Sequence, residues 1–184
     1  METSVIMAGF GGQGLLLAGK LLAEACMDEG KEVSWLPSYG PEMRGGTANC
    51  TVVISDKPVG SPVVNQPSAI LVMNRPSLER FAPMVKSGGL ILINSNMVDI
   101  SSSRDDVKEV RIPANDEARA VGSDRAANMV MLGAFIALTS AASLETVVKW
   151  MEHQFEGKTN IIEINRKALE RGFQLALQQA EAKV

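Results

Sequence analysis

Apolar positions along this chain fall into short unbroken runs, the signature of strands buried on both faces, separated by stretches of helical spacing. Ser4-Val5-Ile6-Met7-Ala8 is the first run, closed by Gly9. Over residues 15–25, Leu16 with Ala23 and Leu17 with Leu21 share helical spacing, and Gly30 supplies a stop. Val33-Ser34-Trp35-Leu36 resumes as a strand, so the start of the chain predicts β–α–β with a right-handed crossover. After Pro37 comes a loop over residues 38–46, then a β-branched run over 48–54. A loop that short holds no crossover helix, so the run after it is expected to pair antiparallel with a neighbour and the sheet to be mixed.

Ser55-Asp56-Lys57-Pro58 reads as a turn. Ile70-Leu71-Val72-Met73 and Leu90-Ile91-Leu92-Ile93 are further buried strands, with a weaker one over 107–112. Between the first two, Leu78, Phe81, Ala82 and Val85 mark a helix bent near Pro83. From about residue 114 the chain reads as helical, in segments ending near 121, 139, 155 and 182. Leu144, Val147, Val148, Met151 and Phe155 form one face of the third segment, with Ser143 as N-cap. Ile161, Ile164, Ala168, Phe173, Ala176 and Ala180 make a stripe on the fourth. The expected fold is α/β, a three-layer α/β/α arrangement with a mixed, mostly parallel sheet, a Rossmann-like start and a helical C-terminal part. No repeat or linker interrupts residues 1–184, which are read as one domain.

Composition narrows the function. The 46% hydrophobic content excludes disorder, and two cysteines in 184 residues exclude a disulfide scaffold. A formal net charge of −3 provides no basic field for nucleic acid. The longest apolar stretch, 129–138, is far short of the roughly 20 residues a membrane span needs. The N-terminus carries no secretion pattern, so a reduced, cytoplasmic location is expected. Cys26 and Cys50 form no CxxC and the chain has a single histidine, so neither a zinc motif nor an iron–sulfur cradle is expected.

Three features bear chemistry. Gly9, Gly11 and Gly14 of Gly9-Phe10-Gly11-Gly12-Gln13-Gly14 form G-x-G-x-x-G between a strand and a helix, where glycine permits close approach and the helix start offers free N–H groups. Dinucleotide binding also wants an acid at the end of the second strand. Here that strand runs into Trp35-Leu36-Pro37-Ser38, and Glu32 lies on the wrong side. A dinucleotide is thereby disfavoured against an anion or ligand contact shared with another protein chain, and against glycines that serve only close packing.

The second feature is Pro37-Ser38-Tyr39-Gly40-Pro41-Glu42-Met43-Arg44-Gly45-Gly46, which leaves the carboxyl end of a strand as the glycine loop does, so the two are expected to face each other. Arg44 either pairs with Glu42 in solvent or offers its planar fork to a carboxylate or phosphate. The third is the apolar helix beginning Arg125-Ala126-Ala127-Asn128 and running through Gly133-Ala134-Phe135, either core or packed on a partner subunit, with Asn128 needing hydrogen-bond partners. His153, between Glu152 and Gln154, reads as a solvated surface residue.

These motifs together, with Ser55-Asp56-Lys57-Pro58 and Ser61-Pro62, resemble the gamma subunit of 2-oxoacid:ferredoxin oxidoreductases over nearly the whole chain. The segment from Pro37 to Gly46 is the most specific part and is most similar to 2-oxoglutarate or branched-chain 2-oxoacid (2-ketoisovalerate) members. The resemblance implies oxidative decarboxylation of a 2-oxo acid with coenzyme A, giving acyl-CoA, CO2 and reduced ferredoxin. It implies thiamine diphosphate, Mg and iron–sulfur clusters in partner alpha, beta and delta subunits, with no cofactor bound by this chain alone and no catalytic residue of its own. Candidate binding positions are Gly9, Gly11, Gly12, Gln13, Gly14, Ser38, Tyr39, Glu42, Arg44, Gly45, Gly46, Arg125 and Asn128. A stand-alone nucleotide-dependent oxidoreductase and a purely structural subunit are the competing readings.

Overall fold

The computed structural model describes residues 1–41 and 46–182. Six strands form one sheet: β1 (Glu2–Phe10), β2 (Glu32–Tyr39), β3 (Thr47–Ser55), β4 (Ala69–Val72), β5 (Leu90–Asn94) and β6 (Lys108–Ile112), in the order β2-β3-β1-β4-β5-β6. β3 runs antiparallel to both β1 and β2, while β1, β4, β5 and β6 are mutually parallel. The mixed sheet expected from the short loop is present, and β3 is inserted between β1 and β2.

Alternate strand residues address opposite faces, and both faces are covered. Val5, Met7, Val52, Leu71 and Leu92 pack with α1 (Leu15–Asp28), α3 (Ala114–Val121), α4 (Ala127–Thr139), α5 (Leu144–Gln154) and α6 (Thr159–Glu181). Ile6, Ala8, Ile70, Val72, Ile91 and Ile93 pack with Leu78 and Phe81 of α2 (Arg75–Phe81). A single 3-10 turn, Ala82–Met84, follows α2 at Pro83, where the sequence predicts a bend. Ser143 caps α5 by accepting from the Thr146 N–H at 3.1 Å. Among the described residues, no helix is long and apolar enough to cross a membrane.

β2 extends past the expected break at Pro37 to Tyr39. The Gly40 N–H donates to the Thr47 carbonyl at 3.1 Å, so even-numbered residues of β2 address β3. Pro37 then turns its missing N–H toward the free edge, where no ladder bond is lost.

The apolar α4 is core, not a subunit face: residues from Ala127 to Ile136 are buried, and its small positions receive α6 of the same chain. A Cβ on Gly133 would collide with the Leu169 carbonyl oxygen, and one on Gly172 with that of Val130. The stripe read on α6 omits Asn165, Leu169 and Gly172, all buried, while Ile161 is exposed. The backbone crossing selects the smallest residues, which an apolar periodicity does not count.

Candidate functional site

α1 follows β1 on one face of the sheet, and α2 follows β4 on the other. The crevice between β1 and β4 is therefore the topological switch point, where open α/β sheets take ligands outside the strand carboxyl ends. The Gly9–Gly14 loop sits there. Its Gln13 side chain spans the crevice: Oε1 accepts from the Phe10 N–H at 2.6 Å, and Nε2 donates to the Met73 carbonyl at 3.2 Å. Gly9 lies beneath it, where a Cβ would strike Gln13 Oε1 and approach Leu15 Cδ1 to 2.7 Å. Gly9 and Gln13 thus face inward and build the loop rather than its outer surface.

The loop's other half faces out. Gly12 has φ +91° and a Cβ there would meet open space, so the backbone alone calls for glycine. Gly14, at φ +73°, precedes α1 and gives its carbonyl to the Ala18 N–H at 3.0 Å. The N–H groups of Gly12, Gly14, Leu15, Leu16 and Leu17 have no acceptor among the described residues. They are the open donors of a helix start, and the helix dipole there favours negative charge.

The described ends of the second loop meet the first. The Gly11 N–H donates to the Gly46 carbonyl at 2.7 Å. A cleft of about 300 Å³ opens between them, lined by Phe10, Gly11, Gly12, Gly14, the first turn of α1, Tyr39 and Ala48. Tyr39 is 56% exposed at its rim, and Ser38 pairs across from Asn49 on the exposed edge strand. Glu42, Arg44 and Gly45 lie outside the described residues.

A second, larger cavity of about 540 Å³ shares Gly14 and Leu17 with the first. Arg125 stands at its edge in a 3-10 turn, Asp124–Ala126, that precedes α4. Asn128, 6% exposed, donates through Nδ2 to the Gly14 carbonyl at 3.0 Å and accepts from the Met129 N–H through Oδ1. A Cβ on Gly14 would collide with that amide, so the last glycine of the motif makes room for Asn128. Ser123, Asn160 and Asn165 also line this cavity and were missed from the sequence, because Ser123 precedes the 3-10 turn while the two asparagines lie on α6, and none carries a motif.

Both thiols are unsuited to metal. Cys26 donates to the Ala141 carbonyl and Cys50 to that of Leu15, and burial pushes each up to about 12. Thiolate ligation of a cluster would have to reverse that cost. His153 stacks edge-on against Trp150 at 5.7 Å and belongs to neither cavity lining.

The family described as pyruvate ferredoxin/flavodoxin oxidoreductase matches residues 4–175. The ketoisovalerate oxidoreductase subunit VorA of Methanothermobacter thermautotrophicus is 43% identical over 184 residues, covering 100% of this chain. The chain spans only 38% of that relative's own length. A gamma subunit of a keto/oxoacid ferredoxin oxidoreductase from Geobacter sulfurreducens superposes with TM-score 0.82 at 33% identity, over 96% of this chain and 99% of that one. The 2-oxoglutarate:ferredoxin oxidoreductase of Magnetococcus marinus, solved with 2-oxoglutarate, coenzyme A and succinyl-CoA bound, gives TM-score 0.87 at 25% identity over 96% of this chain and 31% of that one. The fold is that of the Geobacter gamma subunit, and the chain belongs to the pyruvate ferredoxin/flavodoxin oxidoreductase family.

Proposed function

We propose that the chain is the gamma subunit of a heteromeric, cytoplasmic 2-oxoacid:ferredoxin oxidoreductase that converts a 2-oxo acid and CoA to acyl-CoA, CO2 and reduced ferredoxin. In this reading residues 1–184 act as one gamma-type domain, partnered by alpha, beta and delta subunits. Thiamine diphosphate with Mg, and iron–sulfur clusters, reside in those partners and supply the decarboxylation and electron-transfer chemistry. The chain's own residues bind and orient. Gly12, Gly14 and the first turn of α1 line the cleft together with Tyr39, and their five N–H groups have no protein acceptor among the described residues. That array suits an anionic portion of CoA, because helix-start donors satisfied by an anion gain both hydrogen bonds and dipole energy. Arg44, Gly45 and Gly46 are assigned to the same ligand by residue type, and Arg125 and Asn128 to its extension into the larger cavity.

The observation that carries this reading is the set of unsatisfied donors lining the cleft. A stand-alone nucleotide-dependent enzyme is disfavoured by Gln13, whose side chain occupies the crevice between β1 and β4. The test is Tyr39→Glu in the assembled enzyme, which sets a carboxylate across from the donors at an exposed position. Steady-state assays should show a KM for CoA raised about tenfold, the equivalent of one charge-assisted hydrogen bond lost to competition, with the KM for the 2-oxo acid unchanged. An unaltered KM for CoA in a normally assembled complex refutes the assignment of the cleft.

A further inference from the structure

We infer that Gln13 is a positioning residue that holds the glycine loop open toward the cleft. The inference rests on the reading of the cleft as a CoA site and adds a cause for its shape. A six-residue segment with four glycines has many accessible conformations, and freezing one of them costs entropy unless something pins it. Gln13 pins it at two strands. Its Oε1 takes the Phe10 N–H at the end of β1, and its Nε2 reaches the Met73 carbonyl, just past β4 and 60 residues on. Glycine at position 9 lets the amide lie flat over the strand.

The consequence is directional. Two polar backbone groups at the switch point, the Phe10 N–H and the Met73 carbonyl, are satisfied internally by the Gln13 amide. Gly12, Gly14 and Leu15 to Leu17, whose N–H groups have no protein acceptor among the described residues, line the cleft with Tyr39, and Gly14 and Leu17 line the larger cavity as well. Gln13 touches no ligand in this arrangement; it decides which side of the loop a ligand meets.

Two variants in the assembled enzyme test this. Gln13→Glu keeps the length and the acceptor but turns the donor toward Met73 into a repelling carboxylate. Gly9, Phe10, Leu15 and Met73, the residues placed around it, carry no titratable side chain, so any pH dependence peculiar to this variant reports the new carboxyl. The expected result is a KM for CoA raised about tenfold over the unaltered enzyme at pH 8, with kcat at saturating CoA within about twofold, from loss of one part-buried hydrogen bond. The ratio should fall toward one as the pH is lowered and the carboxyl regains its proton. Gln13→Leu, which can supply neither bond, should raise the KM at every pH.

A ratio of one for Gln13→Leu, where Tyr39→Glu does raise the KM for CoA, overturns the inference and leaves the cleft assignment standing. If Tyr39→Glu has no effect, the cleft reading fails first. Equal losses of kcat and assembly with an unchanged KM, or failure of both Gln13 variants to assemble, overturn the inference by reducing Gln13 to a fold residue.

Discussion

Gly133 and Gly172 each face a backbone carbonyl of the opposite helix where α4 crosses α6, whereas Gly12, in the loop after β1, faces open space. The same residue type serves two ends. At the crossing glycine is required because of what lies opposite. In the loop it is required by the sign of φ, and what it leaves open is a row of N–H groups against a cleft. A sequence that shows both as small, flexible positions hides which is which.

The comparison breaks most visibly at the crossing. Gly172→Ala drives a methyl into the Val130 carbonyl, and rigid backbone on both sides cannot yield as a flexible side chain would. Overpacking of this kind should cost about 3 kcal/mol or more. For a chain of this length that is a fall in Tm of about 10 °C, read by thermal unfolding. A loss near zero would mean that the helices separate freely and that the close approach does not hold the core.

Gly14 stands between the two cases: its φ is positive, and it also faces a side chain, Asn128. Asn128→Ala removes the Nδ2–H bond to the Gly14 carbonyl, an oxygen that keeps the Ala18 N–H, and also removes the Oδ1 acceptor of the buried Met129 N–H. With the Gly14 oxygen still satisfied but the Met129 N–H left open, the expected loss is about 2 kcal/mol, seen as a shift in the denaturation midpoint at unchanged slope. A loss approaching that of Gly172→Ala would place Gly14 with the packing glycines.

Local periodicity was enough to read most elements, because their apolar runs alternate with turns carrying Gly or Pro. The insertion of β3 between β1 and β2 was only half legible: loop length implied an antiparallel neighbour, but the strand order depends on contacts between residues such as Glu2 and Ser55, which no spacing encodes. The continuation of β2 through Pro37 was hidden for a related reason, since only the pairing with β3 shows that its absent N–H points outward. At the site, the meeting of the glycine loop with the described ends of the second loop followed from both leaving strand carboxyl ends. The inward role of Gln13 did not, because its partner Met73 is remote in sequence. Asn165, buried in the polar wall of the larger cavity at 8% exposure, interrupts an apolar stripe and gave no signal of its own.

The smallest expected effect on stability is also the one that most sharpens the contrast. At Gly12 a side chain has room, and the only obstacle is φ +91°. Asparagine enters the left-handed region more readily than other residues with a Cβ, so Gly12→Asn should cost less than about 1 kcal/mol. Its side chain would then stand among the open N–H groups, with an amide oxygen able to accept from them and bulk to obstruct an anion. The Tm should barely move while the KM for CoA rises several-fold in the assembled enzyme. If the Tm instead fell as far as in Gly172→Ala, the loop glycines would be packing devices like those of the crossing. If neither quantity moved, the outward face of the loop would meet no ligand, and the difference between the two glycine sets would be one of geometry without consequence for binding.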